Sequence, residues 1–134
     1  MTREVDYALR ILRALSDGER ATARTICDRE FVPLHFAYHI LKKLESGGLV
    51  EISRGSSGGI RLCADLKRVT LHGLLSVIEE TRAISACVQP GFECAWRKKN
   101  GGTCTIHKQL LGIQNLLDEE FRKRSLYEMM FGGQ

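Results

Sequence analysis

The sequence predicts a mostly α-helical fold with a small β-wing, in which a winged helix-turn-helix precedes a long C-terminal helix. Three observations support this prediction. Two amphipathic segments are followed by a third that begins at Pro33, and residues 50–62 alternate apolar and polar side chains around a glycine-rich turn. Residues 106–121 then keep a wide apolar stripe at helical spacing, which indicates a helix that packs on a large surface.

The composition fits one compact unit with an added helical element. The chain has 134 residues, of which 43% are hydrophobic and 27% are charged, and a formal net charge of +4. This small positive charge permits a polyanion partner, but recognition would depend on local basic patches. No apolar run approaches the roughly 18 residues of a membrane helix, and no signal peptide is evident, so we expect a cytoplasmic protein.

Three helices are predicted in the first part of the chain. The first covers residues 4–15 on an apolar stripe that starts at Val5. Thr22 caps a second short helix that ends near Arg29. Pro33 opens the third helix, and Gly47 ends it together with the glycine that follows. The order and short turn between the last two predict a helix-turn-helix.

The third helix has two different faces. Its inward stripe consists of Ala37, Ile40, Leu41 and Leu44, whereas the outward side carries His35, Tyr38, His39, Lys42 and Lys43. A helix of this polarity fits the DNA major groove. We therefore expect His35, Tyr38 and His39 to read bases and Lys42 to hold a phosphate. The simpler alternative is an ordinary solvated surface helix.

The predicted wing is a hairpin whose tip runs from Arg54 to Gly59. Arg54 and Arg61 would reach a phosphate or the minor groove of DNA from this glycine-rich backbone. In the simpler alternative the hairpin is only solvated. Residues 1–66 are thus predicted to form a winged helix-turn-helix DNA-binding domain.

The second part, residues 67–134, is predicted to integrate a sensor loop and dimerisation helices with the first. Thr70 caps a helix that lies behind the wing, and residues 87–104 lack any period and are predicted to be a loop. Thr105 can cap the long helix, whose wide apolar face favours a homodimer that reads a two-fold operator. Ser125 and Glu128 form a capping box for a short final helix that could pack back on the body.

Three of the five cysteines stand out by position. Cys27 and Cys63 lie inside apolar patterns, where buried and inert thiols are expected. Cys87, Cys94 and Cys104 lie in the predicted loop, and His107 follows the last of them with two residues between. Thiolate and imidazole suit an iron–sulfur cluster or zinc, and metal-free thiols are a third possibility. Their spacing does not choose among the three.

Several motifs together resemble the IscR and NsrR family of bacterial winged-helix regulators. They are the order Asp6-Tyr7-Ala8-Leu9-Arg10, the segment Gly48-Leu49-Val50, the wing from Arg54 to Leu62, and three cysteines ahead of a long helix. The resemblance covers almost the whole chain. It implies a homodimeric transcription factor, usually a repressor, whose long helices cross at the dimer interface. It also implies an iron–sulfur cluster whose state, or thiol oxidation, changes operator affinity.

The resemblance assigns Cys87, Cys94 and Cys104 as cluster ligands and offers two candidates for the fourth. Cys104-Thr-Ile-His107 resembles the ending found in IscR, which favours His107. Asp6 resembles the aspartate that the nitric-oxide-sensing branch supplies from the partner subunit. The choice would separate a two-iron (2Fe-2S) from a four-iron (4Fe-4S) cluster. The cysteines are more widely spaced than is usual in the family, so residues 98–102 resemble an insertion, and Ile60 replaces the usual aromatic residue after the wing glycines.

The favoured function is a DNA-binding regulator that senses redox state, iron–sulfur status or nitric oxide. Two alternatives are a metal-free thiol- or partner-controlled winged-helix repressor and a zinc-stabilised interaction module. An enzyme is not expected, because the sequence has no nucleophile with a base, no paired carboxylates and no phosphate loop.

Overall fold

The structure, a computed structural model, describes residues 2–80 and 83–132, so Met1 and Gln134 lie outside the described residues. Its elements are, in order, α1 (Arg3–Ala14), α2 (Ala23–Glu30), α3 (Leu34–Ser46), β1 (Val50–Ser53), β2 (Gly59–Leu62), α4 (Leu71–Ile78), a 3-10 turn (Ala86–Val88), α5 (Ala95–Lys99), α6 (Thr105–Lys123) and α7 (Leu126–Phe131). A mostly helical chain with one two-stranded antiparallel sheet confirms the predicted fold class.

Helices α1, α2 and α3 pack around a shared apolar core. Ile11, Ile26 and Ile40, one from each helix, are completely buried in it. The Thr22 hydroxyl accepts a hydrogen bond from the Thr25 amide at 3.1 Å, so α2 starts where its cap predicts. Pro33 has ψ 131° and lies just before α3, whereas the sequence predicted that it would form the first helical residue.

The wing is joined to the rest of the domain by a third short segment. Strands β1 and β2 pair antiparallel, with Val50 opposite Leu62. Ala21 then exchanges two backbone hydrogen bonds with Ile60, at 3.0 and 2.8 Å. Gly59 has φ 141°, and a Cβ at this position would lie 3.2 Å from the Ala21 carbonyl oxygen, so the close approach of these two segments favours glycine.

The C-terminal helix α7 begins at the cap that the sequence predicted, and it packs back on the body. The Ser125 hydroxyl accepts a hydrogen bond from the Glu128 amide at 3.1 Å, and Leu126 is completely buried. The Leu71 amide donates to the Arg124 carbonyl and the Leu126 amide to the Val69 carbonyl, both at 2.8 Å. These two backbone bonds fasten the start of α7 to the start of α4.

Helix α6 leaves most of its apolar side chains uncovered within one chain. Only Gln114 is buried along its length, while Ile106 is 70% and Leu116 is 65% exposed. Cys104 lies at the N-cap of this helix without a side-chain cap bond, so the predicted cap at Thr105 is wrong. A globular protein rarely leaves so much apolar surface in water without a partner.

Two other expectations need correction. Residues 87–104 are not all irregular, because they include α5 and most of the 3-10 turn. Cys63 is exposed and its Sγ lies 3.4 Å from the Gly48 carbonyl oxygen, so it is not the buried thiol that its apolar neighbours suggested. Cys27 is buried as expected. No helix in the described part of the chain is long and apolar enough to cross a membrane.

Candidate nucleic-acid interface and metal site

The outward face of α3 carries the side chains that the sequence predicted for contact with DNA. His35, Tyr38, His39 and Lys42 are all exposed, and the Tyr38 side chain is 59% exposed. The His35 ring lies against Phe36, with ring centroids 4.3 Å apart. Helix α3 therefore presents two imidazoles, a phenol and an ammonium group to solvent on one side, while its other side packs into the core.

Two residues of α3 are held by α1. Nζ of Lys43 lies 3.0 Å from Oε2 of Glu4 and 2.9 Å from the Ile78 carbonyl oxygen. Lys43 is therefore half-buried and does not belong to the outward face on which the sequence placed it. Nε2 of His39 lies 3.2 Å from Oε1 of the same glutamate. His39 thus remains exposed but already has an acidic partner.

The two wing arginines have different surroundings. Arg54 is exposed at the tip and has no ion pair among residues 2–80 and 83–132. Arg61 lies in β2 with its NH2 nitrogen 3.3 Å from Oε2 of Glu51, and Arg20 lies 3.3 Å from Oε1 of that carboxylate. Nε of Arg61 is buried without a hydrogen-bond partner in the described residues. Arg54 is thus the more available cation.

Helix α2 adds two arginines that the sequence analysis did not assign. Arg24 and Arg29 are exposed, and neither has an ion pair within the described ranges. By contrast, Nε of Arg13 lies 3.1 Å from both carboxylate oxygens of Glu30, and this hydrogen-bonded carboxylate raises the pKa of the Arg13 guanidinium. The signal available in the sequence was the position of Arg24 and Arg29 on the helix that crosses the DNA backbone in a helix-turn-helix.

Four candidate ligands, the three cysteines of the predicted loop and His107, lie around one cavity. Cys87 comes from the 3-10 turn, Cys94 precedes α5, Cys104 precedes α6 and His107 lies in the first turn of α6. All four are half-buried, and all four line a cavity of about 500 Å³ together with Trp96 and Arg97. The fold thus brings together residues that are separated by up to 20 positions.

The donor atoms share the cavity without converging on one point. No three His, Cys, Asp or Glu side chains of the described residues are close enough to hold one metal ion. Sγ of Cys87 lies 3.2 Å from the Ser85 hydroxyl, and Nδ1 of His107 is buried without a hydrogen-bond partner in the described part of the chain. A buried imidazole nitrogen with no partner is costly, and coordination would satisfy it. In chemical type, three thiols and an imidazole match the ligands of a thiolate-ligated cluster, but their donor atoms would have to move closer together to bind one.

Asp6, the second candidate for the fourth ligand, is not part of this cavity. Its carboxylate lies 3.2 Å from the Arg10 guanidinium within α1 and is exposed. Among the candidate ligands, one chain therefore brings together the three cysteines and His107 but not Asp6.

Gln114 connects the segment before Cys87 to α6. Its Oε1 accepts a hydrogen bond from the Ile84 amide at 2.7 Å, and its Nε2 donates to Asp118 at 3.0 Å. Because Gln114 is buried, the segment that leads to Cys87 is fixed to the middle of α6. The sequence analysis did not identify this residue, since a lone glutamine on a helix gives no signal.

The chain matches a known protein family over almost its whole length. Residues 1–131 match the Rrf2 family, described as "Iron-dependent Transcriptional regulator". The chain belongs to the Rrf2 family. It is 30% identical to Protein aau3 of Rhizobium meliloti over 82% of this chain and 73% of that protein. It is 26% identical to the transcriptional regulator NsrR of Geobacillus kaustophilus over 88% of this chain and 83% of the relative.

Several solved structures share this fold. CymR, the global cysteine regulator of B. subtilis, has a TM-score of 0.71 at 18% identity. The match covers 100% of this chain and 98% of the CymR chain. IscR of T. potens has a TM-score of 0.64 at 14% identity, and the match covers 97% of this chain and 85% of the IscR chain. As an Rrf2 protein the chain is a DNA-binding transcriptional regulator. The resemblance found in the sequence is confirmed.

Proposed function

We propose that this Rrf2 regulator is a homodimeric repressor whose affinity for double-stranded operator DNA is controlled by an iron–sulfur cluster. Cys87, Cys94 and Cys104 would hold the cluster. The observation that supports this proposal best is the cavity that these thiols share with His107, together with the buried Nδ1 atom of His107, which has no partner among the described residues. When bound, the cluster supplies iron that responds to oxidation, iron supply or nitric oxide.

His107 is the better candidate for the fourth ligand. It lines the cavity within the same chain, whereas Asp6 pairs with Arg10 and would have to come from the partner subunit. A histidine ligand favours a 2Fe-2S cluster in this proposal, and an aspartate ligand favours 4Fe-4S. Separate His107→Ala and Asp6→Ala variants test the choice, because only loss of a true ligand changes the iron content or the visible spectrum.

On DNA, α3 would enter the major groove with His35, Tyr38 and His39 near base edges. Lys42 would hold a phosphate beside the groove, and Arg54 would reach a phosphate or the minor groove from the wing tip. Arg61 would contribute from β2, where Glu51 and the wing backbone fix it. Arg24 and Arg29 of α2 are further phosphate contacts in this placement, because they are exposed and free of ion pairs in the described ranges.

A second copy of the chain would cover the apolar face of α6. Ile106, Ile113 and Leu116 are exposed there, and a two-fold dimer presents two α3 helices to a two-fold operator. In this proposal residues 1–66 form the DNA-binding domain, and residues 67–134 carry the sensor and the dimer contacts.

The proposed coupling between the cavity and DNA runs through packed helices. Gln114 ties the segment before Cys87 to α6, α6 packs on α4, and α4 packs on both α1 and α3. A change around the cysteines would therefore alter the relative orientation of the two α3 helices in a dimer. A differential stability of a few kcal/mol is enough to shift such a two-state equilibrium almost completely.

The test is metal analysis of protein purified without exposure to air. Broad visible absorption with matching iron and sulfide is expected for the wild type, and Cys94→Ser should abolish it. Cys63→Ser is the matched control, because Cys63 is exposed and lies outside the cavity. A Cys94→Ser protein that retains full iron and sulfide would remove Cys94 from the ligand set.

A metal-free thiol switch is the second candidate function. It is favoured by the thiols that share a cavity without converging, and by the Ser85 hydroxyl 3.2 Å from Sγ of Cys87. It predicts a colourless protein without iron or zinc, and DNA binding that responds to oxidant but survives chelation. A colourless protein with one tightly held zinc would instead favour a structural zinc site.

A further inference from the structure

Phe31 combines an unfavourable backbone with an exposed aromatic ring. It lies between α2 and α3 with φ 56° and ψ 46°, and it is the only described non-glycine residue with a positive φ. Its side chain is 84% exposed, and no ring contact to it is found within residues 2–80 and 83–132. The next residue, Val32, is buried and donates its amide to the Cys27 carbonyl, so the turn itself is well fixed.

Folding alone gives no reason for phenylalanine at this position. A left-handed conformation is unfavourable for a residue with a Cβ, and glycine or asparagine adopts it at lower cost. An aromatic ring normally offsets such a cost by burying its surface, but this ring buries little. Backbone strain combined with an exposed apolar side chain is typical of a residue kept for contact with another molecule.

The position of Phe31 indicates which molecule it contacts. It precedes His35 by four residues, which spans at most about 14 Å of chain and is comparable to the width of the major groove. If His35 points into the groove, Phe31 lies at the groove rim. Arg29, two residues earlier in the chain, is exposed and has no ion pair within the described residues, so a cation that could bind a phosphate lies near Phe31 in the sequence.

We propose that Phe31 is a DNA-contacting residue whose ring packs against the deoxyribose or a thymine methyl group at the rim of the major groove that receives α3. The apolar faces of sugars and the thymine methyl are the parts of DNA that an uncharged aromatic ring can cover. This inference rests on the proposed placement of α3, and it adds a contact from the turn that precedes that helix.

The experiment starts by selecting a preferred operator for the wild type from random double-stranded DNA. Affinities of Phe31→Asn, Phe31→Tyr and Phe31→Ala for that operator are then measured over a range of salt, with thermal melting of each protein. Phe31→Asn should bind about tenfold more weakly, because the apolar contact is lost. Its Tm should rise by about 4 °C, because asparagine adopts the left-handed conformation more easily.

Three further readouts make the result specific. Phe31→Tyr should keep nearly all the affinity, since it retains the ring. The salt dependence should be unchanged in every Phe31 variant, because no phosphate contact is removed. Phe131→Asn is the matched control: it removes an exposed phenylalanine from α7, a helix that the proposal does not place on DNA, and should leave DNA affinity unchanged.

The outcomes separate this inference from the proposed function. If no sequence is enriched from the random pool, the proposed function fails. If an operator is enriched but Phe31→Asn binds it within about twofold of the wild type, the contact is absent and this inference is overturned, whatever the change in Tm. The same conclusion follows if Phe31→Tyr loses as much affinity as Phe31→Ala.

Discussion

The carboxylate of Glu4 in α1 lies 3.2 Å from Nε2 of His39 in α3. The other oxygen of Glu4 lies 3.0 Å from Nζ of Lys43, one turn further along the same helix. A single acidic residue thus fixes two basic residues of α3 to the first helix. Because α3 carries the proposed DNA-reading face, these two contacts add to the core packing of α3 and hold His39 at the α1 side of that face.

Glu4→Gln should destabilise the protein. The amide keeps the size of the side chain but leaves Lys43, which is only 27% exposed, without a negative partner. We expect the free energy of unfolding to fall by about 1 kcal/mol, as for other partly exposed ion pairs. Urea denaturation measures this change. Glu45→Gln is the control, because Glu45 is exposed on α3, the helix that carries Lys43, and an equal loss in both variants would contradict the bridging role.

The position of Lys43 also shows where sequence reasoning stops. The helical period correctly placed Ala37, Ile40, Leu41 and Leu44 in the core, and all four are buried. Lys43 lies at the edge of that stripe, and only the packing of α1 decides that its ammonium points to Glu4. Similarly, strand alternation could not reveal that Cys63, just beyond β2, would be exposed.

The candidate sensor site shows a related difference. Spacing identified Cys87, Cys94, Cys104 and His107 as a group, and the structure brings all four to one cavity. The sequence did not predict α5 between the second and third cysteines, because a helix of five residues is too short to show a period. The buried Nδ1 atom of His107 was also beyond prediction, since burial depends on how the 3-10 turn and α6 pack.

Tyr38→Ala should relax sequence preference. The Tyr38 side chain is 59% exposed on α3, so its removal costs little folding stability, but a base contact through its hydroxyl or ring would be lost. We expect discrimination at one or two operator positions to fall by about 1–3 kcal/mol. Competition binding with single-base operator variants measures this. Unchanged discrimination at every position would refute a base-reading role.

Lys42→Ala is the matched control for Tyr38→Ala, because Lys42 is exposed on the same face and its proposed partner is a phosphate. Its loss should weaken binding to all sequences about equally and flatten the salt dependence by about one unit of slope. A loss confined to one base position would assign Lys42 to base reading instead.

The two wing arginines should behave differently. Arg54→Ala should lower DNA affinity and flatten the salt dependence by about one unit of slope without changing the Tm, because Arg54 is exposed and unpaired in the described ranges. Arg61→Ala should also lower the Tm, because it removes a side chain that bonds Glu51 across the wing. Titrations over a salt series together with thermal melting measure both effects. Equal melting temperatures for the two variants would contradict the structural role of Arg61.

Alkylation should distinguish the two cysteines outside the sensor cavity. Burial, followed by the nearby Asp28 carboxylate, raises the pKa of the Cys27 thiol, so less reactive thiolate is present. Cys63 is exposed. We expect iodoacetamide at about pH 8 to modify Cys63 much faster than Cys27, as followed by peptide mass spectrometry. In denaturant the two rates should become similar, and equally fast labelling in the folded protein would contradict the burial of Cys27.

Ile113→Glu should disrupt the proposed dimer. Ile113 is 49% exposed in the middle of α6, so a single chain tolerates a charge there, whereas a dimer interface would have to bury it without a partner. We expect the association to weaken by at least about tenfold, and sedimentation velocity over a range of concentrations measures it. Met129→Glu is the matched control, because Met129 is 44% exposed on α7 and is not among the α6 residues proposed to form the interface. A wild type that is monomeric at every concentration, or an Ile113→Glu dimer as stable as the wild type, would contradict this interface. Loss of operator binding together with the dimer would further indicate that both copies of α3 are needed to read one site, since each half-site alone supplies only part of the affinity.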